Sequence, residues 1–183
     1  MRYTYPHTIE SGAGERITFL RRIPGASGDR LEGENVASPG AGPPMHVHYL
    51  QEEVFTVREG RMGYQSAGGP ERFAGPGETV AFAPGVPHRF WNAGEGDLHC
   101  TGHIEPAHNV EYLLTELFES SKRNGARPGL FDVAFLAMRY RSEYGLGVVP
   151  GALQRAVFPL LVGVGTLLGK YRRYADAPEP AHG

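Results

Sequence analysis

Across residues 10–105, short runs of alternating apolar and polar positions are separated by glycine and proline. Residues 16–21, 53–57, 79–83 and 98–104 carry this two-residue alternation and read as strands. Gly68, Gly69 and Pro70, then Gly75, Pro76 and Gly77, are turn signals between them. Closely spaced strands with tight turns and no helical period predict a sandwich or barrel. At Pro106 the period changes. Val110, Leu113, Leu114, Leu117 and Phe118 recur at helical spacing, and Gly125 closes that helix. A second helix is expected from 130 to about 144, with Phe131, Phe135 and Met138 on one face and Gly145 as its stop. A third segment runs from about 150 to 171. The division this predicts is a barrel over 1–105, a helical extension over 106–174, and a disordered tail over 175–183.

The third segment is unusual because residues 156–169 carry no charge, while Arg155 precedes them and Lys170, Arg172 and Arg173 follow. A spanning helix needs about 20 apolar residues, and this run is shorter and contains Pro159. Two expectations remain. One is a helix buried on the barrel or in a dimer interface. The other is a peripheral membrane contact through 156–173, with the basic flank facing the lipid.

Composition narrows the function classes. The 183 residues carry a formal charge of -2, which argues against nucleic acid as a partner, since phosphate binding needs a clustered basic surface. With 40% hydrophobic and 21% charged residues, the chain can bury a core. Cys100 is the single cysteine, so no internal disulfide is possible, and the N-terminus lacks the apolar core of a signal peptide. A cytoplasmic location is the resulting expectation. Neither a phosphate-cradling glycine loop nor a Gly-x-Ser-x-Gly elbow is present.

The chemistry concentrates in two stretches. In 40–60, His46 and His48 are two residues apart, so on a strand both imidazoles point to one side and can reach one metal ion. Two carboxylates follow. Glu53 shares its side with Phe55 and Val57, whereas Glu52 shares its side with Arg58, which is costly to bury unpaired. Strand parity therefore selects Glu53 as the inward acid. In 77–92, a strand and a turn through Pro84 and Gly85 lead to His88, a third imidazole that can meet the first two across the barrel.

These residues resemble the two motifs of the cupin superfamily. Gly40, His46, His48, Glu53 and Gly60 match the first, and Gly77, Gly85, His88 and Asn92 match the second. Ala83 stands where the family usually has proline, and Pro84 follows it. The resemblance implies a small single-domain cupin of bacterial type with a helical C-terminal extension: a mainly β fold, a double-stranded β-helix (jelly-roll) barrel with two to three C-terminal helices. It implies one divalent transition metal held by His46, His48, Glu53 and His88. The mixed nitrogen and oxygen donors suit Mn, Fe, Ni, Co, Cu or Zn better than Mg or Ca. It also implies a homodimer. The expected function is a dioxygenase-type oxidoreductase acting on a small organic molecule, with Glu53 staying bound or swinging off as a base. The alternatives are an isomerase or decarboxylase on the same site, or a non-catalytic ligand-binding cupin with a structural metal.

Further candidates lie on the 98–104 strand. His99, Thr101, His103 and Glu105 share one side, and Leu98, Cys100, Gly102 and Ile104 the other. Facing inward, His103 or His99 lines the pocket as an acid, base or substrate contact. Facing outward, they are solvated or pair elsewhere. Phe55, Tyr64, Phe82 and Phe90 are expected in the core, and Cys100 is expected to be a small buried apolar residue rather than a nucleophile.

Overall fold

The computed structural model describes residues 3–26, 28–147 and 150–182. Its strands are β1 (His7–Glu10), β2 (Glu15–Ile23), β3 (Arg30–Ala37), β4 (His46–His48), β5 (Glu52–Glu59), β6 (Met62–Ser66), β7 (Arg72–Ala74), β8 (Thr79–Phe82), β9 (His88–Asn92) and β10 (Leu98–Glu105). They are followed by α1 (Val110–Arg123), α2 (Leu130–Arg139), β11 (Tyr144–Leu146) and α3 (Gly151–Leu167). The strands form two antiparallel sheets, ordered β1-β2-β3-β10-β5-β8 and β11-β4-β9-β6-β7. This is the expected mainly β jelly-roll barrel with helices at its C-terminal end.

Alternation explains why the sheets close on each other. Phe55 and Val57 of β5, Leu98 and Cys100 of β10, and Phe82 of β8 project inward from the first sheet. They meet Met62 of β6, Ala74 of β7 and Phe90 of β9 from the second. Turns between strands need backbone that only glycine adopts cheaply. Gly60, between β5 and β6, has φ +87, and a Cβ there would stand 2.8 Å from the Asp97 carbonyl oxygen. Asn92 ties the end of β9 by donating to the Ala37 and Gly96 carbonyls, both at 2.7 Å, so this motif residue holds the fold together.

The helices cover one part of the barrel. α1 lays Val110 and Phe118 on Ile9, Phe19, Leu31 and Ile104. Glu111 is buried at its first turn, where it accepts from Tyr5 Oη at 2.8 Å and lies 3.0 Å from His7 Nδ1. A buried carboxylate with these partners pins the N-terminal strand to the helix.

Three expectations for the C-terminal part change. The second helix stops at Arg139 rather than near 144, because residues 144–146 pair with β4 instead (Tyr144 opposite His48, Leu146 opposite His46). An open sheet edge competes for that backbone and wins. The tail is ordered over its described residues rather than disordered. Arg139 Nη2 donates to the Ala177 carbonyl at 2.8 Å, Tyr140 Oη to Pro178 at 3.1 Å, and Ser142 Oγ to Ala181 at 2.7 Å. Those carbonyls accept from side chains of α2 and the turn that follows it, which ties the tail down. Finally, α3 is not buried on the barrel. It packs on α2, burying Phe158 and Gly165, half-burying Leu161 and Val162, and exposing Leu153, Val157, Leu160, Val164 and Leu167. Among the described residues no helix is long and apolar enough to cross a membrane.

Gly60→Ala is expected to destabilise the barrel by about 2 kcal/mol or more, since it combines a left-handed φ with a clash against backbone. Chemical denaturation measures this as a lowered midpoint with an unchanged slope.

Candidate metal centre

β4 supplies His46 and His48 from alternate positions, so both rings leave the same face. His46 stands directly opposite His88 in the β4–β9 ladder. Glu53 enters from β5 on the facing sheet, where it is opposite Ile104 of β10 and Phe82 of β8. The four side chains converge, and their donor atoms all lie within 4.8 Å of one another. His48, Glu53 and His88 are buried and His46 is half-buried.

The rings are oriented by contacts on their far sides. His46 Nδ1 lies 2.8 Å from the Pro44 carbonyl and His88 Nδ1 lies 2.8 Å from the Val86 carbonyl. Each Nδ1–H therefore donates to a carbonyl two residues back, which fixes the tautomer and leaves Nε2 with its lone pair. The Ala83–Val86 turn that delivers His88 forms despite the displaced proline: Val86 N–H donates to Ala83, and Gly85 N–H to the His48 carbonyl at 2.7 Å. Phe82 stacks on the His88 ring with centroids 3.9 Å apart, and Tyr144 meets His48 edge-on at 5.2 Å.

This arrangement leaves a contact that needs a cation. His88 Nε2 and Glu53 Oε2 lie 3.0 Å apart. With the His88 proton on Nδ1, two lone pairs face each other there, and either a second proton or a metal ion must lie between them. His48 Nδ1 is buried with no hydrogen-bond partner among the described residues, so no outward carbonyl fixes this ring as it does the other two. Electrostatics favour the protonation states a divalent ion requires. Burial pushes His48 down to about 4, with Glu53 pulling weakly the other way, and burial lowers His46 as well. Burial alone would raise Glu53, but His48, His88 and His46 together bring it down to about 2. Neutral His46 and His48 facing an ionised Glu53, with His88 offering the third nitrogen, fit a transition metal through three nitrogens and one oxygen.

His103 does not join them. Cross-strand neighbours point to one side, so Ile104, opposite Glu53, takes the inward position and His103 faces out. Its Nδ1 lies 3.1 Å from Arg30 Nη2, and burial and that guanidinium lower its pKa. Thr101 on the same outer face accepts from Arg58 Nε at 2.9 Å. The catalytic expectation for His103 is therefore withdrawn, because strand parity excludes it from the cluster. Phe55, Phe82 and Phe90 are buried in the core, with Tyr64 partly buried against them. Cys100 is buried too, and burial pushes its thiol up to about 12, which removes it as a nucleophile at neutral pH.

Three polar groups near the cluster are not among the residues that define the two motifs. Gln51 is fully buried and donates to Tyr144 Oη at 2.8 Å. Burial, with Glu143 and Glu53 adding, pushes the Tyr144 phenol well above its ordinary value, so it stays protonated beside His48. Its position depends on β11, which helical periodicity conceals. Glu15 is the third. It leads the inward row Glu15, Ile17 and Phe19 of β2 and accepts from Asn35 Nδ2 at 2.9 Å. An acid at the head of an inward apolar row was the available signal. Between Asn35 and Glu53 lies a cavity of about 50 Å³, walled by Phe19, Leu31, Phe55 and Ile104.

Comparison with known proteins gives the following. A family model described as "Cupin domain" matches residues 36–103. The protein "Oxidoreductase iacF" of Pestalotiopsis fici is 29% identical over 85 residues, which span 45% of this chain and 42% of that protein, so the match covers less than half of the relative's length. Among solved structures, KdgF from Halomonas sp. superposes with a TM-score of 0.50 at 16% identity, covering 57% of this chain and 92% of that one. The polyketide cyclase RemF from Streptomyces resistomycificus gives a TM-score of 0.45 at 24% identity, covering 57% and 78%. At these identities the structural likeness concerns the fold alone.

Two outcomes are expected. His46→Ala or His48→Ala should lower metal content after dialysis by about tenfold or more while the circular dichroism spectrum is kept. Elemental analysis showing full occupancy in His46→Ala would contradict the site. The second outcome concerns Glu15. Burial pushes its carboxyl from an ordinary 4.5 up to about 7, Asn35 opposes the rise and Glu53 adds to it. Between those two values the unfolded chain has lost a proton that the folded chain keeps, so stability falls as pH rises through that window. Glu15→Gln should abolish the fall. It should be more stable than the parent by on the order of 2 kcal/mol near pH 8 and equal to it near pH 4, as read from denaturation midpoints.

Proposed function

We propose, from the chain's membership of the cupin superfamily, that it is a metal-dependent oxidoreductase of dioxygenase type acting on a small organic molecule. The observation that carries the metal is the 3.0 Å approach of His88 Nε2 to Glu53 Oε2 with both Nδ1–H groups of His46 and His88 already committed to carbonyls. The partial likeness to a protein named as an oxidoreductase supports the reaction class.

The division of labour follows from the residues. His46, His48 and His88 bind through nitrogen, and the carbonyls of Pro44 and Val86 hold two of the rings in place. Glu53 supplies the one negative charge, leaving a divalent site with net positive charge that attracts an anionic substrate group. A bound transition ion supplies Lewis acidity and, when redox-active, a path for electrons between substrate and O₂. Phe82 covers one face of His88, and Phe55 and Ile104 keep the space behind Glu53 apolar. That space of about 50 Å³ accommodates a diatomic molecule but not an organic substrate, which therefore approaches from the His46 side, where burial is incomplete. Tyr144, kept protonated, braces the His48 ring edge-on while its Oη accepts from Gln51.

The test is oxygen consumption by Fe(II)-loaded protein offered small phenols, enols and thiols, groups that bind a metal as anions and can be oxidised. The expected result is uptake that matches substrate loss, with both oxygen atoms found in the product, and no uptake in the Zn(II)-loaded protein or in His48→Ala. Conversion that proceeds without O₂ in the Zn(II)-loaded protein would instead support the isomerase or decarboxylase alternative. Tight ligand binding without turnover in any metal form would support the non-catalytic one.

A further inference from the structure

The feature that neither the metal site nor the barrel absorbs is the outer face of α3. Its exposed large apolar residues are Leu153, Val157, Leu160, Val164 and Leu167, and Leu168 continues the set at the helix end. At 100° per residue, these six fall within an arc of about 100°. Leu160 is 70% exposed and Leu167 is 89% exposed. The opposite side of the helix is already used, since Phe158 and Gly165 are buried and Gly165 packs closely against the Tyr171 ring. Phe135 of α2 then stacks on Tyr171 and Tyr174, each at 4.7 Å, fixing the helix pair with the apolar stripe outward.

Charge identifies the occupant. From 144 to 175 the chain holds Arg155, Lys170, Arg172 and Arg173 and no aspartate or glutamate, in a protein of net charge -2. Arg173 reaches Asp132 at 3.7 Å, whereas Arg155, Lys170 and Arg172 have no ion pair among the described residues. The cations flank the stripe rather than lie on it, so a second copy packed on the same leucines would leave them with no acidic partner from this segment. An anionic lipid surface meets both features at once, burying the leucines in the acyl boundary and placing the cations at the headgroups.

We propose that α3 is an interfacial helix that docks this protein on anionic membranes, lying in the plane of the bilayer surface. The docking segment is joined directly to the metal-bearing sheet. Gln154 Nε2 donates to the Leu146 carbonyl at 2.8 Å, and Leu146 pairs with His46. Docking therefore holds β4 near the lipid surface. The inference does not depend on which reaction the metal site performs.

The test is flotation of the full chain with vesicles of equimolar phosphatidylglycerol and phosphatidylcholine, beside vesicles of phosphatidylcholine alone. The expected result is partition onto the anionic vesicles at least about tenfold stronger than onto neutral ones, and weakened when salt rises from about 0.1 M to about 1 M. Leu160→Asn with Leu167→Asn should reduce partition about a hundredfold, while metal content and thermal unfolding stay unchanged because both residues are exposed. Lys170→Gln with Arg172→Gln should reduce it about tenfold on anionic vesicles and leave neutral ones unaffected. A full chain that stays in the aqueous fraction with anionic vesicles overturns the proposal. So does a dimer that the two leucine substitutions convert to monomer with no effect on vesicles, because the stripe then closes on a second copy.

Discussion

The structure depends on one constraint: a carboxylate and three imidazoles from two facing sheets must share a space in which their donor atoms lie within 4.8 Å. Burial in an apolar barrel lowers the pKa of His46 and His48, and the surrounding histidines keep the carboxylate ionised. With the outward Nδ1 protons already taken, His88 Nε2 and Glu53 Oε2 approach to 3.0 Å and need a cation, a proton or a metal ion, between them. A shared cation resolves this, and the fold is arranged to hold the donors ready for it. The carbonyls of Pro44 and Val86 take the outward protons of His46 and His88, and the Phe82 ring braces His88 from behind. Positions that look incidental in sequence, such as a carbonyl two residues before a histidine, set which nitrogen faces inward.

How far the sequence discloses this depends on the range of the interaction. Two-residue alternation is local, so His46, His48 and the choice of Glu53 over Glu52 were legible from parity alone. The resemblance carried by the motif glycines, with His88 and Asn92, extended that to the barrel. His103 was not decided, because which face of β10 turns inward is fixed only by its register with β5, where Ile104 falls opposite Glu53. Tyr144 was hidden for a related reason. The helical pattern runs on to about 144 with Gly145 as its stop, yet the edge of β4 captures residues 144–146 as a strand. The tail's polar, proline-rich composition favours disorder. The order of its described residues comes from Arg139, Tyr140 and Ser142 finding its carbonyls, contacts 38 or 39 residues apart that no local pattern encodes.

The C-terminal extension has two roles. Through α1 it seals the barrel beside Leu31 and Ile104, and through β11 it places a protonated phenol next to His48. Through α3 it presents an apolar stripe with basic residues at its ends. One short strand connects these roles, so the metal donors and the outward helix are parts of a single structural unit rather than separate attachments.

X-ray absorption spectroscopy on protein loaded with one equivalent of a divalent transition ion tests the central claim most directly. Coordination by three imidazole nitrogens and one carboxylate oxygen at about 2.1 Å, with any remaining positions filled by water, is the predicted result. An ion bound with fewer than three imidazoles, or with donors that persist when Glu53 and His88 are both replaced, would contradict it.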